Sequence, residues 1–184
     1  MRIISGEYRG RKLATPRGVK IRPTADRLRE SIFNILGPAV AHTTVLDLFA
    51  GTGALGLEAL SRGARSAVFV DIGREALDLV GKNIVTLDLS DRTQVLRWDI
   101  RRNLACLAHW PQGFDFIYMD PPYARNLVIP TLAHLRSSEA LAANAHLVVE
   151  HSSDEHVDPG GVGFRLVDQR LYGDTIVSFL NDAV

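Results

Sequence analysis

The sequence predicts an α/β protein, a mostly parallel sheet with helices on both faces and an antiparallel strand near its end. Three observations predict it. From residue 44 onward, short apolar runs alternate with segments of helical spacing. A glycine-rich loop follows the first run, and the chain closes on two strand-like runs around Gly173-Asp174. The 184 residues, 46% of them hydrophobic, match one domain with a sizeable core and leave room for a small appendage.

The elements follow in order. Residues 2–15, "RIISGEYRGRKLAT", form a glycine-broken hairpin pattern. "TADRLRESIFNILG" is a helix that Thr24 can cap, bounded by Arg22-Pro23 before it and Gly37-Pro38 after it. Ile32, Phe33, Ile35 and Leu36 give it an apolar side for packing on the sheet. Strand-like runs rich in β-branched and aromatic residues occupy 44–50, 66–72, 93–98, 114–120 and 145–151. Helical spacing occupies 54–63, 74–87, 100–110 and 126–141. Parallel strands need such crossovers, which are right-handed. Residues 164–181 are a hairpin, and 152–163 a polar, glycine-rich loop.

Composition narrows the function classes. No run approaches the roughly 18 apolar residues of a membrane span. "MRIISGEYRG" reaches a glycine and a glutamate too early for a secretory h-region. The single cysteine, Cys106, excludes an internal disulfide, and a half-buried thiol in a reducing cytoplasm is expected. Net charge is zero, yet residues 1–30 carry +6 and the remainder −6. That asymmetry points to a basic arm that touches phosphate, with Arg9, Arg11, Lys12, Arg22, Arg27 and Arg29 as candidate RNA contacts. A merely solvated surface is the competing reading. The six histidines lack metal-ligand spacing, so no metal is expected.

The chemistry gathers at predicted strand ends. In "LDLFAGTGALG", Gly51, Gly53 and Gly56 satisfy G-x-G-x-x-G, and Asp71 ends the second strand, as a ribose-binding carboxylate would. The motif alone does not say whose ribose is bound. Asp47, four residues before the loop, suits a ligand with a cationic ammonium and sulfonium, as in S-adenosyl-L-methionine, better than a pyrophosphate. Asp99, ending the third strand, is placed to accept from an adenine amino group. Capping roles are the alternatives for each: Asp47 for the loop, Asp71 and Asp99 for helix starts.

"DPPY" ends the fourth strand at the same rim. An exocyclic base amine must rehybridise before it attacks a methyl group, and acceptors around its N–H groups favour that change. Asp120 and the Pro121 carbonyl supply acceptors, Pro121 and Pro122 stiffen them, and Tyr123 offers a stacking face for an extruded base. The alternative is a proline turn with a packed tyrosine.

"DLFAGTGALGLEALSRGA" with "DPPY" resembles the class I S-adenosylmethionine-dependent amino-methyltransferases. "RIISGEYRGRKLATP", "RPTADRLRESIFNIL" and "YGDT" narrow the resemblance to the bacterial RsmD family, over essentially the whole chain. The likeness implies a Rossmann-like seven-stranded sheet with an antiparallel strand and an N-terminal β-hairpin extension. It divides the chain into a basic hairpin at 1–20, contacting RNA, and a methyltransferase domain at 21–184, with 21–43 packing on the sheet. It implies transfer of a methyl group to the N2 amine of one guanine in 16S ribosomal RNA, within an assembled or assembling 30S particle, by a cytoplasmic monomer. Asp47, the Ala50-Gly51-Thr52-Gly53 loop, Asp71 and Asp99 would hold the cofactor, beside Phe49, Ile72 and Ile100. Asp120 to Tyr123 would hold the base. Gly73 departs from the family's frequent polar cap, which bears on the start of one helix. An N6-adenine methyltransferase acting on DNA or RNA, an NAD-linked dehydrogenase and a non-catalytic RNA-binding assembly factor are the competing readings.

Overall fold

The computed structural model describes residues 1–16, 23–108, 110, 112–123 and 125–183, with residues 23–25 described by backbone alone. Arg22 and Thr24's side chain, expected to touch RNA and to cap a helix, lie outside this description, as do Arg17, Lys20 and the boundary at 20/21.

Seven strands form one sheet: β1 (Thr44–Leu48), β2 (Ser66–Asp71), β3 (Thr93–Arg97), β4 (Phe114–Met119), β5 (Leu141–Ser152), β6 (Phe164–Tyr172) and β7 (Thr175–Asp182). Their spatial order is β3-β2-β1-β4-β5-β7-β6, and β7 alone runs against the rest. The order reverses at β1, between β2 and β4, where an open α/β sheet presents its ligand crevice. The β1 residues are buried throughout, as a central parallel strand requires.

Helices α1 (Pro23–Leu36), α2 (Ala54–Ser61), α3 (Arg74–Leu87) and α4 (Val128–Ser137) connect and flank the strands. Two apolar cores result. One joins Ile32 and Phe33 of α1 to α2, α3 and one sheet face; the other joins α4 and the 100–107 segment to the opposite face. Ile35 departs from the expected apolar side and is 43% exposed. Gly73 provides no side-chain cap, yet α3 begins at Arg74, where Asp71 accepts the Gly73 N–H at 2.8 Å.

Two expected helices are shorter. Among the described residues of 100–110, the helical structure is a 3-10 turn at Ala105–Leu107. Asn103 explains this: its side-chain oxygen takes the Ala105 N–H at 3.0 Å, and its carbonyl takes the Trp98 indole N–H. Local side-chain bonds of this kind compete with a helical ladder. At 126–141, α4 stops at Ser137 and β5 begins at Leu141.

The N-terminal hairpin is reduced to one antiparallel bridge, Arg2 to Lys12, with Ile3 and Leu13 buried. Its turn is pinned to α2. Glu58, fully buried, accepts the Ile4 and Ser5 N–H groups at 2.8 and 3.0 Å, and Ser61 receives Glu7 and Tyr8.

Candidate active site

The strand ends around β1 enclose a recess of about 590 Å³. Its floor is the glycine loop. Phe49 turns into a left-handed conformation (φ 58°), as do Gly51 and Gly53. For a non-glycine residue that costs on the order of 1–3 kcal/mol and marks a turn the surrounding fold enforces. Gly56 is required for a different reason. A β-carbon there would lie 2.4 Å from the Phe69 ring, so α2 could not seat on β2.

Asp47 is buried, and one of its oxygens accepts the Gly56 N–H at 2.9 Å. Burial pushes its carboxyl up to about 7, with the charge of Asp71 adding to the rise and the Gly56 bond opposing it. The capping role therefore holds, and Asp47 also lines the recess. Asp71 stands behind the loop, outside the recess lining, and accepts Gly51 N–H at 3.0 Å and Gly73 N–H at 2.8 Å. The Gly51 amide, which a phosphate would need, is already bound to a carboxylate.

Asp120 follows β4, its N–H continuing the ladder to the Leu48 carbonyl. It keeps accessible surface where it lines the recess, while protein crowds the carboxyl closely enough to push it up to about 8. Glu150 and Asp47 add to that shift. Pro121 is buried and Pro122 exposed. The Tyr123 ring is 43% exposed, and its hydroxyl is tethered: it donates to Glu150 at 2.8 Å and lies 2.8 Å from the Thr175 hydroxyl. Burial raises the phenol further above its ordinary value.

The recess thus joins Asp47, Phe49, Ala50, Gly51, Thr52, Asp120 and Tyr123. Asp71, Ile72, Asp99 and Ile100 fall outside it. Ile72 is nearly half exposed, whereas the Ile100 side chain is buried in the core. Asp99 is paired with Arg101 through two bonds of 2.8 Å and bonds the Arg101 N–H. Those bonds hold its carboxyl below the usual range, and an adenine amine would have to share it.

Sequence reading missed the far wall. Glu150, Tyr172, Asp174 and Thr175 line it, and Met1 closes the loop side, with the Thr52 hydroxyl 3.4 Å from its sulfur. Glu150 carried the signal that marked Asp71, a lone acid in an apolar run near a strand's end. "YGDT" was legible as a turn and as a family motif, but not as a wall of the recess.

Among the basic candidates, Arg9, Lys12 and Arg27 are exposed, and Arg9 and Arg27 share a shallow groove with Arg2, Asp26 and Glu30. Arg11 donates to the Thr86 carbonyl near the end of α3 at 2.6 Å. Arg29 corrects an expectation. It is 4% exposed, donating to the Arg2 carbonyl and Asp26 with Glu58 at 3.6 Å, so it braces the arm instead of offering charge to RNA.

A family model described as "Conserved hypothetical protein 95" matches residues 1–181, nearly the whole chain. The chain belongs to this family, the RsmD family. YlbH of Bacillus subtilis is 39% identical over 179 residues, covering 97% of each protein. "Ribosomal RNA small subunit methyltransferase D" of Escherichia coli is 39% identical over 150 residues, 82% of this chain and 74% of that protein. The solved yhhF chain of Escherichia coli superposes with a TM-score of 0.84 at 34% identity, over 99% of this chain and 97% of that one. Strand order, glycine loop and D-P-P-Y rim are therefore read within the RsmD family.

Proposed function

We propose that this RsmD-family chain transfers a methyl group from S-adenosylmethionine to the N2 amine of a guanine in small-subunit ribosomal RNA, within a 30S particle or its precursor. One observation carries the reading: the Asp120 carboxyl and the Tyr123 ring share one recess with the glycine loop. Rim chemistry supports the cofactor. The strand ends bring carboxylates, and the Gly51 amide is occupied by Asp71, so a cation fits where a pyrophosphate does not.

When bound, S-adenosylmethionine supplies an electrophilic methyl group on a cationic sulfonium. Asp47 would face the cationic end, and Asp71 behind the loop, together with the exposed Ile72, would hold the ribose and adenine. Asp120 accepts an N–H of the target amine, which localises the nitrogen lone pair for attack, and Tyr123 stacks on the base. Methyl transfer would replace the S–C bond by an N–C bond, with the S–C electron pair remaining on sulfur. The resulting ammonium proton passes to Asp120 or solvent. The exposed Arg9, Lys12 and Arg27 hold RNA phosphates, and the chain acts as a monomer in the cytoplasm.

Mass spectrometry of nucleosides from undermethylated 30S particles after incubation with the protein tests this. N2-methylguanosine at one site is the expected product, and N6-methyladenosine would favour the competing reading.

A further inference from the structure

Glu150 is an acidic recess residue to which the methyl-transfer reading gives no role. It projects from β5, and Tyr123 donates to its Oε1 at 2.8 Å. No described residue hydrogen-bonds its Oε2. We infer that Glu150 selects the base, its carboxylate accepting N1–H and one N2–H of guanine while Asp120 accepts the other N2–H. This rests on the guanine-amine reading above and deepens it.

Donor and acceptor chemistry carries the argument. The Watson–Crick edge of guanine places two adjacent donors, N1–H and N2–H, against a carboxylate that only accepts. Adenine presents an unprotonated N1 there, a lone pair facing a carboxylate. The site is suited to a donor-rich ligand: Asp120 and Glu150 line the same recess, burial raises both carboxyls, and the charge of Glu150 raises Asp120 further, so each gains from arriving N–H groups. Tyr123 fixes Glu150 from the other side, which sets the carboxylate's orientation before the base arrives. A site built to bond a donor rejects an analogue lacking it far more strongly than a shape-matched apolar pocket does.

The test uses 2-aminopurine, which keeps the N2 amine but has an unprotonated N1. Small-subunit particles are reconstituted with RNA ligated to carry guanine or 2-aminopurine at the mapped target nucleotide. Wild-type protein should methylate guanine at least tenfold faster than 2-aminopurine. Glu150→Gln retains an acceptor for Tyr123 and gains an amide donor for N1, so its preference should fall at least tenfold and favour 2-aminopurine. Equal rates for the two bases with wild type, or an unchanged preference in a Glu150→Gln protein that still binds S-adenosylhomocysteine, would overturn the inference. Should Glu150→Gln fail to fold, the wild-type comparison decides alone. Wild-type particles lacking N2-methylguanosine would instead overturn the guanine reading itself.

Discussion

At the residue scale, each acid is defined by its surroundings. Asp47 is the clearest case. Its folded value of about 7 lies above the ordinary carboxyl value of 3.8, so folding takes up a proton between those limits. The cofactor-free protein should therefore lose stability at this site as pH rises from about 4 to about 7, by a few kcal/mol. Asp47→Asn keeps an acceptor for Gly56 and removes the titration. Its melting temperature should gain on wild type between pH 5 and pH 8, and a constant difference would mean that Asp47 does not titrate as burial requires. Asp120 tests chemistry instead. Asp120→Asn should bind S-adenosylhomocysteine near wild-type affinity and lose most methyl transfer, by 100-fold or more if about 3 kcal/mol of acceptor stabilisation is removed. Calorimetry beside a methyl-transfer assay separates the two effects. Tyr123→Phe keeps the ring but releases Glu150 and Thr175, so it should be milder than Tyr123→Ala, which loses roughly 1–3 kcal/mol of stacking. Equal damage in both would assign the function to the hydroxyl.

At the element scale, the N-terminal arm is held by α2 and α3. Asn83, 1% exposed on α3, accepts the Ala14 N–H at 2.6 Å and donates to the Ala14 and Thr52 carbonyls. One side chain thus joins the arm to the glycine loop. Asn83→Ala removes these three bonds and should cost roughly 1–3 kcal/mol, read by chemical denaturation. Binding of S-adenosylhomocysteine should weaken too, because Thr52 loses its support; unchanged binding would show that the loop holds its shape alone. The same anchoring explains why the hairpin was legible in outline and not in detail. Glycines at 6 and 10 forecast the reversal, but the Ile4 and Ser5 amides bond the Glu58 carboxylate and not a second strand. Likewise, the periodicity of 100–110 suited a helix, and Asn103 diverted it.

At the scale of the whole molecule, charge is separated. The arm carries the excess of positive charge, while the recess is walled by acids. RNA should be gripped by the arm, and affinity should fall with salt as counterions are released. Reversing Arg9, Lys12 and Arg27 should weaken particle binding and flatten that salt dependence, leaving affinity for S-adenosylhomocysteine unchanged. Arg11 and Arg29 are excluded from this variant because both hold the arm in place. Methylation unchanged across a salt series would reduce the arm to a solvated surface. By itself the sequence determined the strand alternation, the terminal hairpin, the glycine loop and the D-P-P-Y rim, because periodicity and local residue chemistry are written along the chain. Only the tertiary structure decided that Glu150 faces Tyr123, that Tyr172 to Thr175 form the far wall and that Arg29 is buried. Those facts depend on β5 lying beside β4 and β7 beside β5, and on the N-terminal arm crossing α2. Such neighbours are separated by tens of residues in sequence, and the packing of one shared sheet brings them together.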